Sequence, residues 1–134
     1  MPSGTTDGPS PDGDDGTTDP LAALVASRVS GRLVATAESC TAGRIGTALA
    51  TVPGAAGWFA GSVVAYQESV KRQLLGVRAP SVYSEQAVTE MAEGACRALG
   101  VDAAVATSGV AGGDPEDGVE PGAVFVGTAV SGRT

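Results

Sequence analysis

The chain has 134 residues, 43% apolar and 17% charged, with a formal net charge of −7. No apolar run approaches the ~20 residues of a membrane span, and five of the fifteen acids (Asp7, Asp12, Asp14, Asp15, Asp19) fall in a first stretch of twenty residues without Lys or Arg. The other ten acids face eight bases, which argues against a basic nucleic-acid-binding face, and the absence of histidine excludes Ser-His-Asp and Cys-His catalysis and the usual zinc sites.

Residues 1–19 are Gly, Pro, Asp, Ser and Thr with almost nothing apolar after Met1. Such a segment cannot bury enough surface to offset its ordering entropy, so it is expected to be a disordered tail ahead of one domain over residues 20–134. It has neither the basic start nor the apolar block of a signal peptide, and Cys40 and Cys96 make a poor disulfide framework, so a reduced cytoplasm is the expected setting.

Asp19-Pro20 supplies an N-cap and a first-turn proline, and Leu21, Leu24 and Val25 continue at helical spacing until Gly31. Leu33 to Ala37 is a short apolar run that suits a buried parallel strand. Thr36-Ala37-Glu38-Ser39-Cys40-Thr41-Ala42-Gly43-Arg44 then leads into a helical run from Ile45 to Val52, stopped by Pro53-Gly54. A strand turning through small hydroxyl residues into a helix leaves backbone N–H groups aimed above the turn, a ready anion or oxyanion site. Ser39, Cys40 and Thr41 lie on that turn, where the helix dipole favours developing negative charge. The structural alternative is that Ser and Thr here act as helix N-caps.

Ala55 to Ala60 holds the only tryptophan, Trp58, read as a core anchor near a loop. Gly61 to Tyr66 reads as a second strand and Gln67 to Leu75 as a short helix closed by Gly76. Tyr66 and Lys71, the single lysine, therefore fall at a strand end and in the next helical turn; a solvated lysine on an amphipathic helix is the alternative. A chain without histidine must activate a hydroxyl nucleophile with Lys, Tyr or a carboxylate. Ser84 caps a longer helix with an apolar stripe of Val88, Met91, Ala92, Ala95 and Leu99, ended by Gly100; Met91 and Cys96 read as packing. Val101 to Thr107 is a third apolar run, followed by a loop from Ser108 to Pro115 rich in small residues, and Gly122 to Val130 is the last strand. This order predicts an α/β layered domain with a mixed, partly parallel sheet flanked by helices, and ligands in such sheets bind at the carboxyl ends of the strands.

The motifs Ala37-Glu38-Ser39-Cys40-Thr41-Ala42-Gly43, Trp58-Phe59, Tyr66 with Lys71 five residues on, Leu75-Gly76-Val77, Ser84-Glu85, Met91-Ala92-Glu93-Gly94 and Gly109-Val110-Ala111-Gly112 resemble the C-terminal domain of CinA (competence/damage-inducible protein A). Stand-alone members of that family are nicotinamide-nucleotide amidohydrolases (NMN deamidases). The resemblance covers about residues 20–130 and implies hydrolysis of the carboxamide of nicotinamide mononucleotide to nicotinic acid mononucleotide and ammonia, without metal or cofactor. It implies Ser39 as nucleophile with Tyr66 and Lys71 as activating partners. The substrate-binding set it implies is Glu38, Cys40, Thr41, Gly43 and Arg44 at the turn, with Thr107, Ser108, Gly109, Ala111 and Gly112 along the nucleotide pocket. The expected partner is a small pyridine nucleotide, with no nucleic acid and no membrane. Three departures stand out. Ala55-Ala56 replaces serines common in the family; the 113–123 segment differs from its usual Lys-Pro-Val-Gly-Thr turn; and the chain stops at Thr134, before the family's further strand and C-terminal helix. The last is expected to leave a sheet edge open, compatible with a homodimer. The alternative function is a non-catalytic nucleotide-binding or interaction domain.

Overall fold

The computed structural model describes residues 17–130. Apart from Thr17, Thr18 and Asp19, the expected tail lies outside the described residues. The elements are α1 (Pro20–Arg28), β1 (Val34–Glu38), α2 (Arg44–Ala50), a 3-10 turn (Ala55–Gly57), β2 (Phe59–Val64), α3 (Glu68–Leu75), α4 (Glu85–Leu99), β3 (Ala103–Gly109) and β4 (Val124–Val130). The sheet runs β2-β1-β3-β4, with β1 parallel to β2 and β3 and with β4 antiparallel to β3. This is the mixed α/β layered sheet that the order of elements predicts.

The middle strand β1 is buried on both faces along its whole length, as a parallel strand under crossover helices must be. Alternation then divides its chemistry. Ala35 and Ala37 join the core beneath α4, with Leu75, Val88, Met91, Ala95, Ala104 and Ala106. Thr36 and Glu38 point to the opposite face, under α2, beside Ser62 of β2. Small alanines at the strand centres allow α4 to lie close to the sheet. The face of β4 away from α4 is open: Val124 and Val126 are exposed, and the outer edge of β4 pairs with nothing among the described residues.

Caps follow the local sequence. The Asp19 carboxylate accepts from the amides of Leu21 (2.8 Å) and Ala22 (3.0 Å), and Ser84 Oγ accepts from Ala87 N (3.1 Å). Gly76 and Gly100 close α3 and α4 in the left-handed conformation. The stripe expected on α4 is buried except at its end, where Leu99 is exposed. Met91 and Cys96 are core residues, whereas Trp58 is only half-buried, beside Phe59 at 6.2 Å between ring centroids.

Helices α3 and α4 touch where Gly94 meets the backbone of Leu75. A Cβ at Gly94 would lie 2.7 Å from the Leu75 carbonyl carbon, and rigid backbone cannot give way as a side chain can. Gly94→Ala is expected to cost about 2–3 kcal/mol by chemical denaturation despite alanine's better helix propensity. A stability equal to wild type would show that α3 can shift freely against α4.

No helix among the described residues is long and apolar enough to cross a membrane.

Candidate active site

The connections diverge at the centre of the sheet: from β1 the chain passes through α2 to β2 on one side, and later returns through α3 and α4 to β3 on the other. The crevice at the carboxyl ends of β1 and β3 is thus a topological switch point, where open α/β sheets bind ligands. Ser39 follows β1 there and Thr107 stands near the end of β3. Ser39 N donates to Thr107 Oγ1 (3.4 Å), and the hydroxyls of Thr41 and Thr107 are 2.9 Å apart.

Beneath the turn sits Glu38, fully buried, with both carboxylate oxygens engaged. Oε1 accepts from Thr41 Oγ1 (2.7 Å), Gly43 N (3.0 Å) and Ile45 N (3.0 Å); Oε2 accepts from Thr36 Oγ1 (2.8 Å) and Gly46 N (2.8 Å). Burial alone would push this carboxyl up, but the hydrogen bonds from Thr41, Gly46, Thr36 and Ile45 outweigh it and hold its pKa below the ordinary value of 4.5. The protein thereby places its own anion at the start of α2. This corrects two expectations. Ser39, Cys40 and Thr41 are not N-caps, since Gly43 is the capping position, in the left-handed conformation with no side-chain cap. Nor do the α2 amides offer an open anion site, because Glu38 takes them. Glu38 itself, expected among substrate-binding groups, lies under the turn with its acceptor capacity used.

What remains open on the turn are the amides of Cys40 and Thr41, which have no hydrogen-bond partner among the described residues. Ser39 is 4% exposed, its carbonyl accepts from Ala42 N (2.9 Å), and its hydroxyl makes no hydrogen bond among the described residues.

Lys71, on α3, is 1% exposed, which overturns the solvated alternative. Its ammonium has no ion pair or hydrogen bond among the described residues, and it lies over the ring of Tyr83, 5.3 Å from the centroid. Burial drives its pKa below the ordinary 10.5, opposed by the neighbouring Cys40 and Glu68. Cys40, on the turn directly after Ser39, is close enough to act on the amine electrostatically. Tyr66 extends from the end of β2 and is 61% exposed, with no hydrogen bond among the described residues. It is close enough to Tyr83 to act on its hydroxyl electrostatically, so Tyr66, Lys71 and Tyr83 share one wall. From the sequence Tyr83 is one of two tyrosines that could supply a base and has no further assignment; its local signal is its place directly before the Ser84 cap.

Other expected residues divide. Ser108 and Gly109 belong to β3, not to the loop after it, because pairing with β4 continues through Gly109↔Val124. Ser108 is fully buried and its hydroxyl donates to Val82 O (2.6 Å), away from the turn. Gly109 is where a Cβ would meet Ala123 O and Cys40 Sγ, so glycine lets β3 pass the turn closely. Ala111 and Gly112 lie exposed beyond the strand. Arg44 is exposed and folds back to donate to Cys40 O (3.3 Å), lining a hollow of about 310 Å³ between α1 and α2 with Leu21 and Ile45. Ala55-Ala56 precede β2, which runs parallel to β1, and therefore sit at the amino-terminal end of the strands, one strand length of ~20 Å from Ser39, so a serine there could not reach the turn. No group of three or more Asp, Glu or Cys among the described residues is arranged to hold a metal ion.

A family model described as "CinA C-terminal domain" matches residues 18–134. The chain is 45% identical over 124 residues to a CinA-like protein of Parasynechococcus marenigrum, covering 87% of this chain and 29% of that one. It is 46% identical over 101 residues to a CinA-like protein of Mycobacterium tuberculosis, covering 69% and 24%. It thus spans less than a third of the curated relatives it matches. Crystal structures of CinA superfamily proteins from Enterobacter cloacae (TM-score 0.79, 34% identity, 84% of this chain and 72% of that one) and Escherichia coli (0.80, 27%, 90% and 74%) share the fold. A hydroxyl turn at the β1/β3 switch point, a fold shared at these scores and a match over residues 18–134 agree with one another: the chain belongs to the CinA C-terminal domain family.

Proposed function

We propose that this domain hydrolyses the carboxamide of nicotinamide mononucleotide, with Ser39 as nucleophile and Lys71 as its base. One observation carries the reading: at the end of the sheet where ligands bind, the Ser39 hydroxyl and the Lys71 amine are both buried without a hydrogen-bond or ion-pair partner among the described residues, and the amine lies within electrostatic reach of Cys40 on the Ser39 turn. A lysine takes a proton only when neutral, and burial without a counter-ion favours its neutral form.

In this reading Lys71 accepts the Ser39 proton as Oγ attacks the amide carbon. The amides of Cys40 and Thr41 receive the resulting oxyanion. The Lys71 ammonium returns the proton to the leaving nitrogen, releasing ammonia and an ester on Ser39. Water then attacks that ester, giving up a proton to Lys71, and nicotinic acid mononucleotide leaves while Ser39 regains its hydroxyl. Tyr66, exposed at the mouth, is read as a contact for the incoming ring or leaving group. Thr107 fixes the turn through Ser39 N and Thr41, and Gly109 with Ala111 and Gly112 borders the nucleotide.

The test is ammonia release from purified protein given nicotinamide mononucleotide. Ligand-dependent thermal stabilisation without product, in a cooperatively folded protein, would replace this reading with that of a binding domain. A second result separates chemistry from folding. Lys71→Met is expected to remove turnover while raising stability by about 1 kcal/mol or more at pH 7, because it removes an unpaired buried amine. The sign follows from the depressed folded pKa: the lysine penalises folding at all pH values where the unfolded chain carries the charge, and the penalty fades as pH approaches 10.5. A destabilised Lys71→Met would show that the ammonium is held by favourable contacts and is no ready base.

A further inference from the structure

Tyr83 is assigned no part in the reaction above, yet its placement is specific. It precedes the N-cap of α4 and is half-buried, while Lys71, whose ammonium it faces, is 1% exposed. The ring thus covers the amine on one side and is itself partly open to solvent. The segment that carries it is fixed at both ends: Ser81 Oγ accepts from Tyr83 N (3.1 Å) and donates to Asp117 Oδ2 (2.8 Å), and Ser84 caps α4. Asp117 belongs to the tight turn closed by the Glu116–Val119 bridge, so this turn anchors the segment that carries the ring through Ser81.

We propose that Tyr83 is a positioning residue for Lys71, its ring forming the roof that closes the amine off from water beside the Ser39 turn. Two effects of the ring oppose each other. Facing a cation it stabilises charge by about 0.5–2 kcal/mol. By excluding water it destabilises charge, and full burial can shift a lysine by about 3–5 pH units. The ring supplies part of that burial, and in this proposal its exclusion of water outweighs the cation–π attraction, so the roof favours the neutral form of the amine. The titratable groups around the pair are Cys40 from the β1–α2 turn, Glu68 of α3 and Tyr66 after β2, with Glu116 and Asp117 from the turn beyond Tyr83. All five favour the charged form when ionised, so they oppose the lowering of the amine's pKa and burial is its cause.

The chain has a single lysine, so lysine labelled with ¹³C at Cε gives one NMR signal for the whole protein. The methylene signals of Lys71 are expected upfield in wild type and Tyr83→Phe, from the ring current. The titration midpoint is expected to be the same in these two and to rise by about one pH unit or more in Tyr83→Ala, as water reaches the amine. Unshifted methylene signals in wild type, or a midpoint in folded Tyr83→Ala equal to or below wild type, would overturn the proposal; if Tyr83→Ala does not fold, the ring-current shift in wild type and Tyr83→Phe decides. The consequence for turnover rests on the amidohydrolase reading: the alkaline shift should carry over to the lower limb of the rate profile in Tyr83→Ala and leave Tyr83→Phe unchanged. Because the NMR readout needs no substrate, a protein that titrates as expected but releases no ammonia would refute that reading and leave the role of Tyr83 standing.

Discussion

Ser39→Ala is expected to reduce ammonia release from nicotinamide mononucleotide by about 10⁴-fold or more, while the melting temperature stays within a degree or two of wild type or rises. In the proposed reaction Ser39 forms the covalent intermediate, so its removal takes away the attacking group. The unchanged stability follows from the hydrogen-bond inventory. The Ser39 hydroxyl is buried without a partner among the described residues, so its deletion removes an unsatisfied polar group and leaves the backbone contacts of the turn, from Ala42 N and to Thr107, in place. Parallel turnover and calorimetry on the two proteins decide the matter. Retained turnover would sink the nucleophile assignment, and a fall of several degrees would mean that the hydroxyl holds the turn together. Cys40, next along the chain, supplies a control: Cys40→Ala keeps the serine and the backbone amide and is expected to retain most of the activity.

Glu38→Gln should be the most damaging single change to stability at the site, about 3–5 kcal/mol. The two side chains have nearly the same shape, but an amide replaces one carboxylate oxygen with an NH₂ that points at N–H and O–H donors. At least two of the five donors now held by Glu38 lose their acceptor, each buried unsatisfied group costing about 1–3 kcal/mol. Against a typical total of about 5–15 kcal/mol this approaches global unfolding. The pH dependence has a definite sign. Because the folded carboxyl titrates below 4.5, its contribution is complete above that pH and is lost as pH falls through the depressed value. Wild type should therefore lose stability steeply on acidification below 4.5, while Glu38→Gln declines less steeply. Glu90, also depressed despite its partial burial by the amides of Arg78 and Ala79 and by Gln86, acts in the same window, so the difference between the two proteins isolates Glu38. Denaturant titrations at pH 7 and pH 3.5 measure both. A difference under about 1 kcal/mol at pH 7 would show that water, not Glu38, satisfies the start of α2.

The sequence by itself determined the elements and the place of the turn. Asp19-Pro20, Gly76, Ser84 and Gly100 mark helix ends through local conformational preference, and strand β1 announces itself by its apolar run between Gly31 and the hydroxyl residues. Strand limits moved by one or two residues, since pairing across the sheet, not composition, decides where a ladder stops; that is why Ser108 and Gly109 went from loop to strand. The need for a Lys or Tyr base was also legible, because the absence of histidine is a property of composition alone. Only the tertiary structure decided the state of each group at the site. Lys71 has the local pattern of a solvated helix residue, yet it is buried, and the fold brings Tyr83, twelve positions on, over its ammonium. Glu38 has the pattern of a residue facing a ligand, and it is instead the anion that α2 was expected to bind, because the alternation along β1 turns it toward that helix's own amides. Protonation state depends on solvent access and on partners from distant parts of the chain, and those are properties of the sheet order and register, which no window of neighbouring residues contains.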